Sequence, residues 1–281
     1  PSNRAVGTAV FGTASTLAPT VPTHQNNDIL LCFVGSSANA SVTPTHSMPG
    51  GWTLVGSNAN STGTTRSRNS VYYKRTAGGE SAPTVTLTPT GSTACHHSAV
   101  IISVQDCITS GSPTEGVNTN QAAGTGVLAL TLTTTTVDTL GIISTHHADN
   151  VATGVTNDGS FTQRVATDNA TGIDGFLWTG DKTIGAAGSG KGATVTYTSG
   201  GTGVGIAGVV FALKPLADTE ATVREAQLST LEATGTVRGA QLASLEKTGT
   251  SREAQTSLLE QTSTGRSAQL ATLDALSTTR D

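Results

Sequence analysis

The chain has 281 residues, a net charge of −4, 35% apolar residues and only 12% charged ones. That balance, with no Lys/Arg-rich run, excludes a nucleic-acid surface, which needs clustered cations, and no run of about 18 apolar residues is present to cross a membrane as a helix. Charged residues are about half as frequent as usual, so hydroxyls and turns must keep the surface wetted, and the abundance of Thr, whose branched Cβ suits a pleated surface, points to an all-β protein.

Alternating apolar residues bounded by Gly, Pro, Asn and Ser clusters mark the strands. The first is predicted over Ala5–Phe11, followed by Asp28–Gly35, Trp52–Gly56, Ser70–Thr76, Thr84–Thr88 and Ala94–Val104. A second series covers Val127–Thr133, Asp138–His146, Phe161–Val165, Ile173–Asp181, Ala193–Thr198 and Val204–Leu213. The start, Pro1-Ser2-Asn3-Arg4, has no apolar signal-peptide core. The three cysteines, Cys32, Cys95 and Cys107, are an odd number. They predict no disulfide framework and fit assembly in a reducing cytoplasm.

The two series read as copies. Asp28-Ile29-Leu30-Leu31 aligns with Asp138-Thr139-Leu140-Gly141, an offset of 110 (138 − 28). Gly51-Trp52-Thr53 aligns with Ser160-Phe161-Thr162, Tyr72-Tyr73-Lys74 with Phe176-Leu177-Trp178, and Thr84-Val85-Thr86-Leu87 with Thr194-Val195-Thr196-Tyr197. Ala99-Val100-Ile101-Ile102 and Gly208-Val209-Val210-Phe211 close the two series. Two halves of about five strands predict two facing sheets with alternate residues buried in a layer ~10 Å thick. A jelly-roll-like β-sandwich over residues 1–215 is the expected fold. Convergent β patterning would imitate such a repeat.

Beyond Pro215 the composition changes to Ala, Gln, Leu, Glu and Arg, and residues 216–281 form a repetitive segment. Arg224, Arg238, Arg252, Arg266 and Arg280 recur every 14 residues (238 − 224). Leu231, Leu245, Leu259 and Leu273 keep that step, as do Glu232, Glu246, Glu260 and Asp274. Two heptads make 14, the period of a left-handed coiled coil. Leu228 and Leu231, Leu242 and Leu245, Leu259, and Leu270 with Leu273 supply the apolar layers. Gly235 and Arg238 fall on the next layer, where Gly costs about 1 kcal/mol relative to Ala. A helical coiled-coil stalk, short helices joined by Thr-Gly turns, a β stalk and a disordered linker all remain open. Repeats this poor in apolar surface gain stability by leaning on other copies. Glu232 and Arg238, six apart, cannot pair within a helix and would pair between chains, so a homo-oligomer, trimer or dimer, is expected.

Most chemical motifs fail on inspection. Gly185–Gly192, with Gly188, Gly190 and Lys191, approaches a phosphate-binding loop. That loop needs Ser or Thr after the lysine and then a helix, whereas Gly192 and a strand follow, so a mobile hairpin loop is expected. His96-His97 and His146-His147, the latter near Asp149, are candidate metal ligands. Neighbours on a strand face opposite ways, so a site would need the two pairs brought together, with Cys95 as a further donor. The bland reading is partly exposed strand residues. No Gly-x-Ser-x-Gly elbow is present, and acids such as Asp174 and Asp181 are too sparse to single out a glycosidase pair. Trp178, Tyr72 and Tyr73, with Trp52, would make either a sugar-stacking platform or the main core contacts, since each ring buries 150–250 Å². Asn39, Asn60 and Asn169 stand in sequons that a Ser/Thr-rich chain produces by chance. No catalytic residue, cofactor site or metal site is therefore expected.

The segments Asp28–Gly35, Gly51–Gly56 and Val71–Glu80, followed by Gly180-Asp181-Lys182 and Val209–Pro215, resemble a β-sandwich module of bacteriophage and bacterial surface proteins. The Arg-x-Ala-Gln-Leu repeats are similar to short tandem repeats at the ends of phage structural proteins. The resemblance covers roughly residues 5–215 and implies a virion component, as head decoration, head fibre or tail fibre, in contact with other virion proteins. It brings no catalytic residues with it. The alternative is a carbohydrate-binding adhesin that recognises a host surface glycan.

Overall fold

A computed structural model of the chain describes residues 1–216 except 40, 62–63, 91–94, 125, 149–154, 170–174 and 199–203, and of 168–169 only the backbone. The repeats, with Leu228, Leu231, Glu232, Arg238, Leu242, Leu245, Leu259, Leu270 and Leu273, lie outside the described residues, as do Asp149 and Asp174. The described residues form strands and no helix. The first half contains β1 (Ser2–Val6), β2 (Val10–Gly12), β3 (Thr16–Leu17), β4 (Ile29–Asn39), β5 (Thr45–Ser47), β6 (Thr53–Asn60), β7 (Thr65–Arg75), β8 (Val85–Thr88) and β9 (Cys95–Gln105). The second contains β10 (Thr114–Ala123), β11 (Val127–Leu130), β12 (Thr139–His147), β13 (Val155–Asn157), β14 (Thr162–Asn169), β15 (Gly175–Ile184), β16 (Ala193–Tyr197) and β17 (Gly205–Leu213).

Strand β4 shows why the sheets stack as they do. Its residues alternate between two cores: Ile29, Leu31 and Phe33 enter one, and Leu30, Cys32 and Val34 enter another. A strand that is apolar on both faces must be covered on both. Strands β9, β12 and β17 behave the same way. The result is four layers. A large sheet, ordered β1-β9-β4-β7-β6 with β2 also on β9, carries the small sheet β3-β8-β5 on its outer face. A second large sheet, β10-β17-β12-β15-β14, carries β11-β16-β13. The two large sheets meet in a central core that contains Leu31, Phe33, Ile102, Ile142 and Phe211. The expected pair of facing sheets is present, but each has an outer sheet of its own, so sandwich packing occurs three times.

The halves share strand order, register and bulge position. Strand β4 pairs Leu31 with Ile102 and Cys32 with Tyr72. Strand β12 pairs Ile142 with Phe211 and Ile143 with Gly180. The bulge between Leu54 and Gly56 recurs between Gln163 and Val165. Asn27 and Asp138, just before β4 and β12, both have positive φ, 69° and 53°. Asn27, not Asp28, is therefore the counterpart of Asp138. A one-residue slip puts every side chain on the wrong face, and the 28-to-138 alignment makes that slip. Tyr72-Tyr73-Lys74 corresponds to Gly180-Asp181-Lys182 rather than to Phe176–Trp178, as the pairings with β4 and β12 require. The Trp52/Phe161, Val85/Val195 and Ile101/Val210 correspondences agree with the layers: each pair belongs to an outer core of its half.

The strand ends define two poles. At one, Cys107 pairs with Pro215, and the Leu216 amide donates to the Asp106 carbonyl at 2.7 Å. Leu216, the last described residue, lies at this pole. At the other, Thr65 pairs with Val204, and the Ser67 hydroxyl donates to the His146 carbonyl at 2.7 Å.

Candidate functional site

Alternation along β9 and β12 separates each histidine pair. His97 enters the outer core of the first half and His147 that of the second, where it stacks on Tyr197 with ring centroids 4.8 Å apart. His96 and His146 both enter the seam between the large sheets, at the pole opposite Leu216. All four are at most 1% exposed. The expectation of partly exposed strand residues is corrected, because both strands are covered on both sides.

His97 belongs to a chain of hydrogen bonds whose direction can be worked out from its ends. The Arg68 guanidinium can only donate, and Nε–H does so to Ser57 Oγ at 3.1 Å. Ser57 Oγ then donates to Ser70 Oγ at 2.7 Å, and Ser70 Oγ to His46 Nδ1 at 2.9 Å. His46 Nε2–H donates to Ser36 Oγ at 2.7 Å, and Ser36 Oγ to His97 Nδ1 at 2.6 Å. His97 Nε2–H ends the chain on the Pro89 carbonyl, an obligate acceptor, at 2.8 Å. Each hydroxyl donates once and accepts once, so both imidazoles are neutral Nε2–H tautomers. Burial holds His46 well below the usual imidazole range, with Arg68 and then neighbouring His97 adding to the effect; burial also lowers His97, against the raising effect of its bond to the Pro89 carbonyl.

In the seam, Ser67 gives its hydrogen to the His146 carbonyl, so it can only accept from His146 Nδ1–H, at 2.9 Å. His146 is thereby a neutral Nδ1–H tautomer whose Nε2 lone pair is free of any hydrogen-bond donor. Two glycines make room for it. A Cβ on Gly35 would meet the His146 ring at 2.1 Å. A Cβ on Gly175 would lie 2.7 Å from Ser37 Oγ, 2.8 Å from His146 Nε2 and 2.9 Å from His96 Nδ1. Those three atoms, together with His96 Nε2, are buried without a hydrogen-bond partner among the described residues. Burial and then neighbouring His97 hold His96 down at about 4; burial and the surrounding histidines hold His146 well below its ordinary value.

The two histidine pairs thus meet through one member each. No group of three or more His, Cys, Asp or Glu capable of holding a metal ion occurs among the described residues. Trp178, Tyr72 and Tyr73 are not brought together. Trp178 is 1% exposed in the outer core of the second half, and its indole N–H donates to Gln163 at 3.1 Å. Tyr72 is buried in the outer core of the first half, and its hydroxyl donates to the His46 carbonyl at 3.0 Å. Tyr73 packs against the central core. These rings fill cores. Segment 185–192 joins β15 to β16 across two sheets, so it is a crossing rather than a hairpin. Gly190 and Gly192 line a cavity of about 490 Å³ with Lys182, whose ammonium donates to the Gly159 carbonyl at 2.9 Å and lies 4.5 Å over the Phe161 ring. Asp181 is paired with Arg164 at 2.8 Å.

The serines of this site were not singled out from sequence. Their signal was the run Gly35-Ser36-Ser37, small and polar at the end of an otherwise apolar buried strand. No family model matches this sequence, and no curated protein matches it, so the functional reading rests on the residues and their arrangement.

Proposed function

We propose that the chain is a non-enzymatic structural protein of a bacteriophage particle, located on the head or tail surface. Residues 216–281 assemble it as a homo-oligomer, trimer or dimer, and hold it to other virion proteins. The observation that carries this reading is the polarity of the sandwich: Leu216, the last described residue, lies at one pole, and the histidine pole lies opposite. The strand order within each half supports a jelly-roll reading: β1-β9-β4-β7 faces β3-β8-β5, with β6 extending the larger sheet, and the second half repeats this. Double-sheet jelly rolls serve as viral capsid and lectin domains. Double coverage of the central strands leaves little backbone for a protease to reach, which suits a particle exposed to its surroundings.

Mass spectrometry of purified particles should find the chain in fixed stoichiometric copies, with immunogold label at one site on the head or tail. Light scattering of the full chain should give a trimer or dimer. A full-length monomer absent from particles would overturn the reading. The carbohydrate-binding alternative gains nothing from Trp178 and Tyr72, which are buried. Glycan-array binding by the intact chain would revive it at another surface.

A further inference from the structure

The seam between the two large sheets changes character along its length. Towards the Leu216 pole it is filled by Leu31, Ile102, Ile142 and Phe211. At the opposite pole the same seam holds Ser37, Ser67, His96 and His146, all at 0% exposure. Here the packing is poorly satisfied. Ser37 Oγ, His146 Nε2 and both ring nitrogens of His96 have no hydrogen-bond partner among the described residues, and each such buried group costs about 1–3 kcal/mol. His146 Nε2 is already a bare lone pair, because Ser67 fixes its other nitrogen as the donor.

Among the described residues the surroundings offer no counter-charge; Asp149 and Asp174, next in sequence to this pole, lie outside them. Strand β4 contributes Ser37 and Gly35, β15 contributes Gly175, β7 contributes Ser67, and β2 lays Phe11 on the His96 ring with centroids 6.4 Å apart. The titratable neighbours are His97 of β9, His147 of β12 and His46 of β5. Cys95 adjoins His96 on β9 with its thiol pushed up by burial. The charged side chains that β7 brings to this pole, Arg66 and Arg68, are cations that bond Thr43 and the Pro44 carbonyl. Strand β17 brings only Gly205, Ile206 and Ala207. Among the described residues no carboxylate acts on His96 or His146. An imidazolium formed in the closed seam would be a buried, unpaired charge.

We propose that this end of the seam is an acid-operated joint: protonation of His96 and His146 parts the two large sheets at the histidine pole, while the apolar pole stays closed. The inference is independent of the virion reading. Opening lets water solvate both rings and relieves the orphaned atoms, whereas the seam at the other pole is held by the apolar side chains of the central core. Each histidine that takes a proton only when open raises the open population about tenfold per pH unit below ~6.5.

Hydrogen exchange on the intact full-length chain tests this at pH 7.5 and 4.5, read as protection factors so that intrinsic exchange cancels. Protection should fall at least tenfold in Ser36–Ala38, Cys95–Ser98 and Thr145–His147. It should persist in Ile29–Leu31, Ile102–Val104 and Leu140–Ile142, and recover on return to pH 7.5. In H96Q/H146Q the acid-induced loss at this pole should disappear. Uniform loss at both poles, no loss at pH 4.5, or the same loss in a folded H96Q/H146Q would overturn the proposal. Should that variant not fold, carbon-13 histidine spectra of the unmodified chain decide the matter. His96 and His146 must titrate with the midpoint at which protection falls, and separate midpoints would reject the joint.

Discussion

The two halves of the sandwich share a backbone plan and fill it in opposite ways. Ser57 pairs with Ser70 across β6 and β7, and the matching pair on β14 and β15 is Ala166 with Trp178. Ser36 pairs with His97, and the matching pair is His147 with Ile206. His46 of β5 is replaced by Val155 of β13. One half runs a directed hydrogen-bond chain through the space that the other closes with an indole, aliphatic side chains and the His147 ring stacked on Tyr197. Backbone pairing and two-sided burial decide the layers. What occupies a layer is a separate choice, and the polar choice is the one that carries titratable chemistry.

Acid should separate the halves most clearly. The folded protein holds His46, His96, His97 and His146 below their ordinary value, so the unfolded chain takes up protons first as pH falls. Stability should be complete above pH ~6.5 and decline below it, by about 1.4 kcal/mol per pH unit for each histidine, until the folded value is reached. For His96 that limit is about 4. Urea midpoints measured from pH 7.5 to 4.5 check the slope, and H46Q/H97N should lessen it, leaving the part that His96 and His146 contribute. A flat profile in the unmodified chain would contradict the neutral assignments.

Next in size is Trp178→Ala, expected to cost about 3–5 kcal/mol because a fully buried ring is removed. Its counterpart Ser70→Ala should cost about 1–3 kcal/mol, through the unpaired nitrogen left on His46. Because the central core is shared, both variants should still unfold in one transition by fluorescence and circular dichroism. Two transitions would show that the halves are independent.

Gly35→Ala should cost about 1–3 kcal/mol by driving a methyl into the His146 ring. Adding His146→Ser should recover much of that, and a double-mutant cycle would measure the coupling between the halves. The smallest effect is expected at Leu54, 51% exposed on edge strand β6. Leu54→Ser should shift the denaturation midpoint by no more than about 0.5 kcal/mol.

Much of this fold was legible in the residues. The apolar runs Ile29–Val34 and Val209–Leu213 announced buried strands, and the recurrence of Thr-Val-Thr announced a duplication. Strand β10, Thr114–Ala123, was missed because an edge strand with mostly exposed polar side chains shows no alternation. The repeat itself was a guide to it, since β10 stands in the second half where β1 and β2 stand in the first. The alignment slipped by one residue at Asp28 because an all-apolar strand looks the same in either phase. The serines of the hydrogen-bond chain were invisible as a group: they come from β4, β6 and β7, and only pairing across the sheet makes them neighbours.

The order of residues along the chain was enough to determine an all-β fold for the described residues, the places of its long apolar strands and the opposite facing of each adjacent histidine pair. Those properties follow from side-chain volume, branching and the two-residue period, all of which are local. Tertiary structure decided that the large sheets would be covered on both faces. It also decided that His96 and His146 would meet across their seam, and that Ser67 would choose the proton's place on His146. These depend on which faces touch, and contacts between strands far apart in sequence have no signature in either strand alone.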